Sequence, residues 1–266
     1  MNLEYPRPFR ININALTMGI KFNGGLPKKR RWLFIIFAFF TFACQQNPKS
    51  VESFTKIIGG EITSGFPEVG GLTYYGRLFC SATLIESKTV LTAAHCLDNH
   101  IIKFLGFMVG SSQYETVTSY KISGAIKHPD YRREGLENDL AILELAGEPA
   151  ITPMKLVRED NSDLSGKKLI AVGYGRSEDI NKNSGIKRFV ELPVSEVTHE
   201  TYRSLGSNKN TCTGDSGGPL LFRNVDNQFY QVGVVSSGDP YCRTLSIFTR
   251  VDRHLDFIRQ GKVFIH

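Results

Sequence analysis

From Ile57 onward the chain is a succession of short runs rich in β-branched and aromatic residues, each broken by Gly, Asn, Asp or Pro. Segments 82–85, 90–92, 140–145, 169–172, 229–235 and 247–251 are the clearest. Strands at this spacing, with no helical periodicity between them, predict an all-β barrel or sandwich. One stretch departs from the pattern. Val251, Leu255 and Ile258 recur at i, i+4 and i+7 with Arg253, Asp256 and Arg259 between them, which predicts a short amphipathic helix over about 251–260, docked on the β core.

The residues before this pattern read differently. Lys28-Lys29-Arg30-Arg31 is followed by twelve residues without a charge, Trp32 to Ala43. A spanning helix needs about 20 apolar residues, so a basic cluster ahead of this shorter run reads as an export leader over 1–44. Met18 is an alternative start that gives a leader of ordinary length. Ala43-Cys44 resembles the lipobox of bacterial lipoprotein signals, in which the cysteine is lipidated. Lipidation of Cys44, with membrane anchoring through it, stands beside plain signal cleavage and an uncleaved anchor. Residues 45–56, polar and containing Pro48, read as a linker.

Charge follows the same division. Residues 1–56 hold nine Lys/Arg against Glu4 and Glu52, which leaves residues 57–266 with 23 basic and 24 acidic side chains. The net charge of +6 therefore belongs to the leader. The folded part lacks the clustered basic footprint that nucleic acid requires, so no nucleic-acid partner is expected. Apart from Cys44, four cysteines remain, Cys80, Cys96, Cys212 and Cys242, an even number suited to an oxidising compartment. Four cysteines allow three pairings, and spacing does not choose among them. No Cys-x-x-Cys or His-x-x-x-His spacing occurs, so neither a metal nor another cofactor is expected.

Three segments carry chemistry. Thr213-Gly214-Asp215-Ser216-Gly217-Gly218-Pro219 places a serine on a glycine-rich turn. A hydroxyl is a weak nucleophile, and it needs an exposed tight turn beside backbone N–H groups able to hold an oxyanion. Thr92-Ala93-Ala94-His95-Cys96 sets a histidine in a small apolar run, and Asn138-Asp139-Leu140-Ala141-Ile142-Leu143 sets an aspartate at the mouth of an apolar strand. Singly these read as a surface turn, a packed histidine and a turn residue. In the order His, Asp, Ser they form a nucleophile, a base and a group that orients the base.

The segments TAAHC, DLAIL and GDSGGP resemble the signature set of the chymotrypsin/trypsin peptidases. Ile57-Ile58-Gly59-Gly60 resembles the family's mature N-terminus, Val172-Gly173-Tyr174-Gly175 its Gly-aromatic-Gly turn, and 235–238 and 248–251 its last strands. The resemblance spans about residues 57–260. It implies a trypsin-like peptidase domain over 57–266, built of two antiparallel six-stranded β-barrels (about 57–150 and 151–250) with a short C-terminal helix. The implied activity is serine endopeptidase, acting on protein or peptide substrates through an acyl-enzyme on Ser216. His95 is then the general base, Asp139 its orienting carboxylate, and the N–H groups of Gly214 and Ser216 the oxyanion hole. Also implied are the disulfides Cys80–Cys96 and Cys212–Cys242, substrate contacts at Asn210, Ser236 and Gly238, and activation by an external protease cutting after Lys56. That cut frees Ile57 to pair with Asp215.

The chain also departs from the family. Asp139 and Ser216 are 77 residues apart, a short interval, and no cysteine lies between Gly175 and Cys212. Asn210 stands where tryptic members carry an aspartate, and Leu245-Ser246 replaces the usual Pro-Gly. A buried Lys or Arg over a neutral amide lacks a counter-charge, so strong cleavage after Lys or Arg is not expected. The competing readings are a non-catalytic homologue kept as a binding module and an envelope lipoprotein with a structural role.

Overall fold

The computed structural model describes residues 59–158, 164–177, 184–206 and 208–265, with side chains as far as Gly261. The expected leader, the linker, Cys44, Lys56 and Ile57 lie outside the described residues. Strands dominate, as the sequence predicts. In chain order they are β1 Glu61–Ile62, β2 Val69–Tyr74, β3 Arg77–Leu84, β4 Thr89–Thr92, β5 Leu105–Val109, β6 Thr118–Lys127, β7 Ala141–Leu145 and β8 Lys155–Leu156. The second half adds β9 Lys168–Gly173, β10 Arg188–Pro193, β11 Glu196–Val197, β12 Thr201–Leu205, β13 Pro219–Arg223, β14 Phe229–Gly238 and β15 Leu245–Arg250.

Six strands close into an antiparallel barrel in the order β2-β3-β4-β7-β6-β5. The β2–β3 hairpin turns on Tyr75 and Gly76, both at positive φ (50° and 77°), with Tyr74 paired to Arg77. This is a two-residue turn whose twist matches that of the flanking strands. Every residue of β7 is buried. The barrel interior takes one face. The C-terminal helix takes the other, where a Cβ on its Gly261 would come within 2.6 Å of Ile142 Cδ1. With both faces covered, β7 has little need of polar alternation, which is why 140–143 reads as an unbroken apolar run before Glu144.

The second half forms a sheet ordered β1-β10-β9-β13-β14-β15-β12-β11, with β8 adding in parallel to β14. Its central six strands curl until β10 and β12 approach one another, and the hydrogen-bonded ladder stays open between them. Leu169, Ala171, Leu220, Val234 and Phe248 bury their side chains within it. The expected helix is present but begins later and runs further. A 3-10 turn occupies Asp252–His254 and α1 spans Leu255–Ile265. Arg250 donates from Nε to Asp252 Oδ1 (3.0 Å) and from a terminal nitrogen to Oδ2 (2.5 Å), and the His254 N–H reaches Val251 O at 3.0 Å. That i→i+3 bond tightens the first turn, and Val251 and Ile258 still face the core.

Ser81 on β3 joins the two halves. Its N–H donates to Ser216 O (2.8 Å), its Oγ donates to Gly214 O (2.8 Å), and that same Oγ accepts the Tyr174 N–H (3.0 Å). The turn carrying Ser216 is thereby pinned from the opposite barrel.

Candidate active site

The chain leaves β4 at Thr92 and winds through a 3-10 turn, Ala94–Leu97, that presents His95 with its side chain 23% exposed. Asp139 sits just before β7 and is fully buried. Its neighbour Asn138 takes φ 50°, and the Asn138 amide holds Asp130 O at 3.0 Å. The left-handed kink suits asparagine and turns Asp139 inward. Its Oδ1 accepts the His95 N–H at 2.9 Å, and its Oδ2 accepts from His95 Nδ1 at 2.8 Å and from Ser236 Oγ at 2.6 Å. Three donors offset much of the cost of burying this carboxylate. An ionised carboxylate can only accept, so the proton lies on Nδ1, and Nε2 carries the lone pair.

Both disulfides join the expected partners, Cys80 to Cys96 and Cys212 to Cys242. They close loops of 16 and 30 residues, worth about 3 kcal/mol each in the chain-entropy account. The first also marks where the two halves meet. Cys96 Sγ lies 3.8 Å from His95 Nε2 and 3.7 Å from Ser216 O. The bridged sulfur has no hydrogen to donate, so these are packing contacts that bring the histidine edge and the serine backbone against one atom. Among the described residues no hydrogen bond joins Nε2 to Ser216 Oγ, a contact that in free enzymes often tightens only when substrate binds. Cys80, His95 and Cys96 also form a ligand-like trio, but the two sulfurs are bonded to each other and offer no thiolate.

Two glycines make the serine turn possible. Gly214 takes φ 99°, and a Cβ there would sit 2.9 Å from Gly175 Cα. Gly217 takes φ 81°, with space for no side chain against Thr92 Oγ1 and Ser81 O. Among the described residues the N–H groups of Gly214 and Ser216 donate to no protein acceptor, while both carbonyls are held by Ser81. Between them Asp215 is 1% exposed and accepts the N–H groups of Gly175 and Cys212, both at 2.8 Å. Burial pushes its carboxyl up to about 6, against the pull of those two donors and of the Arg188 charge. Its expected partner, Ile57, lies outside the described residues.

Beside Ser216 opens a cavity of about 260 Å³, bordered by Thr213, Val235, Ser237, Gly238, Asp239 and the Cys212–Cys242 bridge. Larger clefts of about 370 and 560 Å³ lie elsewhere, one against Ile85 and Tyr230 and one against Pro67 and Phe229. Neither is lined by His95, Asp139 or Ser216. Of the three expected substrate contacts, Gly238 lines the cavity, where a Cβ would meet Leu245 O at 2.4 Å. Ser236 spends its hydroxyl on Asp139. Asn210 is fully buried and does not border the cavity; its Oδ1 accepts from Ser246 Oγ at 3.1 Å. The same hydroxyl accepts the Thr211 N–H at 3.0 Å. Ser246 thus engages the Asn210 oxygen, on the side away from the cavity lining.

Asp239 is the cavity's carboxylate, and its oxygens are taken up by backbone. Oδ1 accepts the Tyr241 N–H at 3.0 Å, and Oδ2 accepts those of Arg243, Thr244 and Leu245 at 2.8, 2.6 and 3.1 Å. These donors hold its carboxyl down at about 2. Ser81 was not singled out in the sequence, although a hydroxyl inside the apolar run 79–85 was its signal. Arg188 was missed as well, and sequence offers no signal for it, because its importance depends on which strand it pairs with.

Comparison with known proteins completes the description. The family model described as Trypsin matches residues 57–258. The chain is also 27% identical over 253 aligned positions to Phenoloxidase-activating factor 1 of Holotrichia diomphalia, covering 76% of this chain and 69% of that protein.

Proposed function

The chain belongs to the trypsin family of serine peptidases, and on that footing we propose that it is a serine endopeptidase with His95, Asp139 and Ser216 as its catalytic residues. The observation that carries the proposal is the His95–Asp139 pair at 2.8 Å, with Nε2 bearing its lone pair beside the Ser216 turn. In this mechanism Nε2 takes the Ser216 proton as Oγ attacks the scissile carbonyl, and the imidazolium then protonates the leaving amine. Asp139 fixes the tautomer and stabilises the imidazolium. The N–H groups of Gly214 and Ser216 stabilise the oxyanion, and water releases the acyl group by the same steps in reverse. Dedicated donors of this kind supply much of the rate in such sites.

The cavity beside Ser216 is the proposed binding site for the side chain on the acyl side of the cut. Its one carboxylate is tied into the rim by four N–H groups, and Asn210 presents no charge to it. The enzyme is therefore expected to prefer small, polar or medium apolar residues. A cleavage profile over a random peptide library checks this, and dominance of Arg and Lys at the cleaved position would show that Asp239 retains a free lone pair for a cation.

Activation by an external protease, cutting between Lys56 and Ile57, belongs to the same proposal. The new α-amine pairs with Asp215 and stabilises the turn between Gly214 and Ser216. Two disulfides fit an exported protein in an oxidising compartment. If Cys44 is lipidated, that cut also frees the domain from its anchor, since no cysteine of the linker holds the two parts together. N-terminal sequencing of the active species, after separating membrane from soluble fractions, is expected to start at Ile57 in the soluble fraction. A fully active form that starts at Cys44 or Gln45 and stays with the membrane would contradict it.

A further inference from the structure

Asp215 is a buried carboxylate with two neutral donors, and such a group keeps its charge only at a cost unless a cation faces it. Strand pairing identifies one. Arg188 opens β10 directly opposite Gly173 of β9. Residues paired across a ladder project their side chains from the same face of the sheet. On Gly173 that face is occupied by Asp215: a Cβ there would lie 2.3 Å from Asp215 Oδ1 and 3.1 Å from its Cγ. The Arg188 side chain thus leaves its strand on the carboxylate's side. It is 2% exposed, and one terminal nitrogen donates to Ile186 O at 3.1 Å. A guanidinium does not lose its proton in a protein, so its charge is permanent.

The mutual influence runs both ways. Among the described residues Arg188 is the charged group whose field lowers the Asp215 carboxyl, and Asp215 raises the Arg188 guanidinium against the effect of burial. Among the described residues the carboxylate also meets the backbone of Gly175, Cys212 and Gly173.

We infer that Arg188 is a built-in counter-charge for Asp215, which keeps the Gly214–Ser216 turn partly formed before any N-terminus is liberated and gives the uncut chain a basal activity. The inference rests on the proposed peptidase reading. Arg188 touches neither substrate nor reacting atoms, so it is a positioning residue, and activation becomes graded. The uncut chain relies on arginine alone. The cut chain adds the Ile57 amine and depends on arginine less.

The test compares wild type, Arg188→Gln and Arg188→Lys in two forms of the exported protein, an uncuttable chain carrying Lys56→Gln and a cut chain beginning at Ile57. In the uncut form, wild type is expected to turn over peptide above the Ser216→Ala background. Arg188→Gln should lower that rate about tenfold or more, and Arg188→Lys should restore most of it. In the cut form Arg188→Gln should cost no more than about threefold, because the amine supplies the charge. The acid limb of the uncut enzyme should also move to higher pH in Arg188→Gln, since a carboxyl without its cation takes up a proton sooner. Equal losses in both forms would mark Arg188 as merely structural and overturn the inference. An uncut wild type without activity, or one indifferent to Arg188→Gln, would do the same. A cut wild type that is itself inactive would instead overturn the peptidase reading, and the inference with it.

Discussion

Replacing Ser216 by alanine is expected to lower kcat by about 10⁶-fold, the size of loss seen when a nucleophilic serine is removed from such a constellation. The fold should survive. What Ser216 contributes to structure is backbone: its carbonyl accepts the Ser81 N–H, and its peptide sits between Gly214 and Gly217, where the unusual φ values are found. Its hydroxyl makes no hydrogen bond among the described residues, so the loss should appear in turnover, with an unchanged melting midpoint. Turnover of a cleavable peptide by the cut form, together with a thermal melt, separates the two. A folded Ser216→Ala protein that still cleaves the peptide at an appreciable rate would remove Ser216 from the chemistry.

The second large effect is expected from Asp139→Asn, about 10⁴-fold in kcat, a magnitude carried over from the general behaviour of this catalytic arrangement. The hydrogen bonds given above supply the reason. An asparagine at 139 has one oxygen where aspartate has two. With the oxygen kept toward the His95 N–H, the amide NH₂ faces Nδ1 and must donate to it. The ring proton then moves to Nε2, and a protonated Nε2 cannot accept from Ser216. The opposite orientation sets NH₂ against the His95 N–H, donor to donor, at a position where 2.9 Å now separates donor from acceptor. That clash favours the first orientation, in which the base is lost while the packing stays. Kinetics of the cut variant check it, and a rate within about tenfold of wild type would show that the tautomer is set by something else.

The sequence reading of the fold succeeded where burial is simple. Six apolar runs became strands, and the strand within 140–145 is buried along its whole length. The helix began later than its periodicity indicated because the Arg250–Asp252 pair and the Val251–His254 bond tighten its first turn. A hydrophobic pattern does not encode such a turn. Among candidate site residues, the His95–Asp139 contact and the two cysteine pairs were legible because each partner sits in a local motif. Asn210 and Ser236 were placed by position in the family pattern, yet a side chain's partner depends on what stands opposite in space. Asn210 meets Ser246, and the Ser236 hydroxyl meets Asp139. Arg188 shows the same limit, since it matters only through the register that sets it across from Gly173.

The most direct measurement is labelling of the cut protein with an active-site fluorophosphonate, with the adduct located by mass spectrometry. The probe reacts with a serine only when a base and an oxyanion site act on it together, so it separates a working peptidase from a homologue kept for binding. One adduct is expected, on Ser216, and it should be absent from both Ser216→Ala and His95→Ala. Wild-type protein that is folded, begins at Ile57 and remains unlabelled under conditions that label a trypsin control would contradict the assignment.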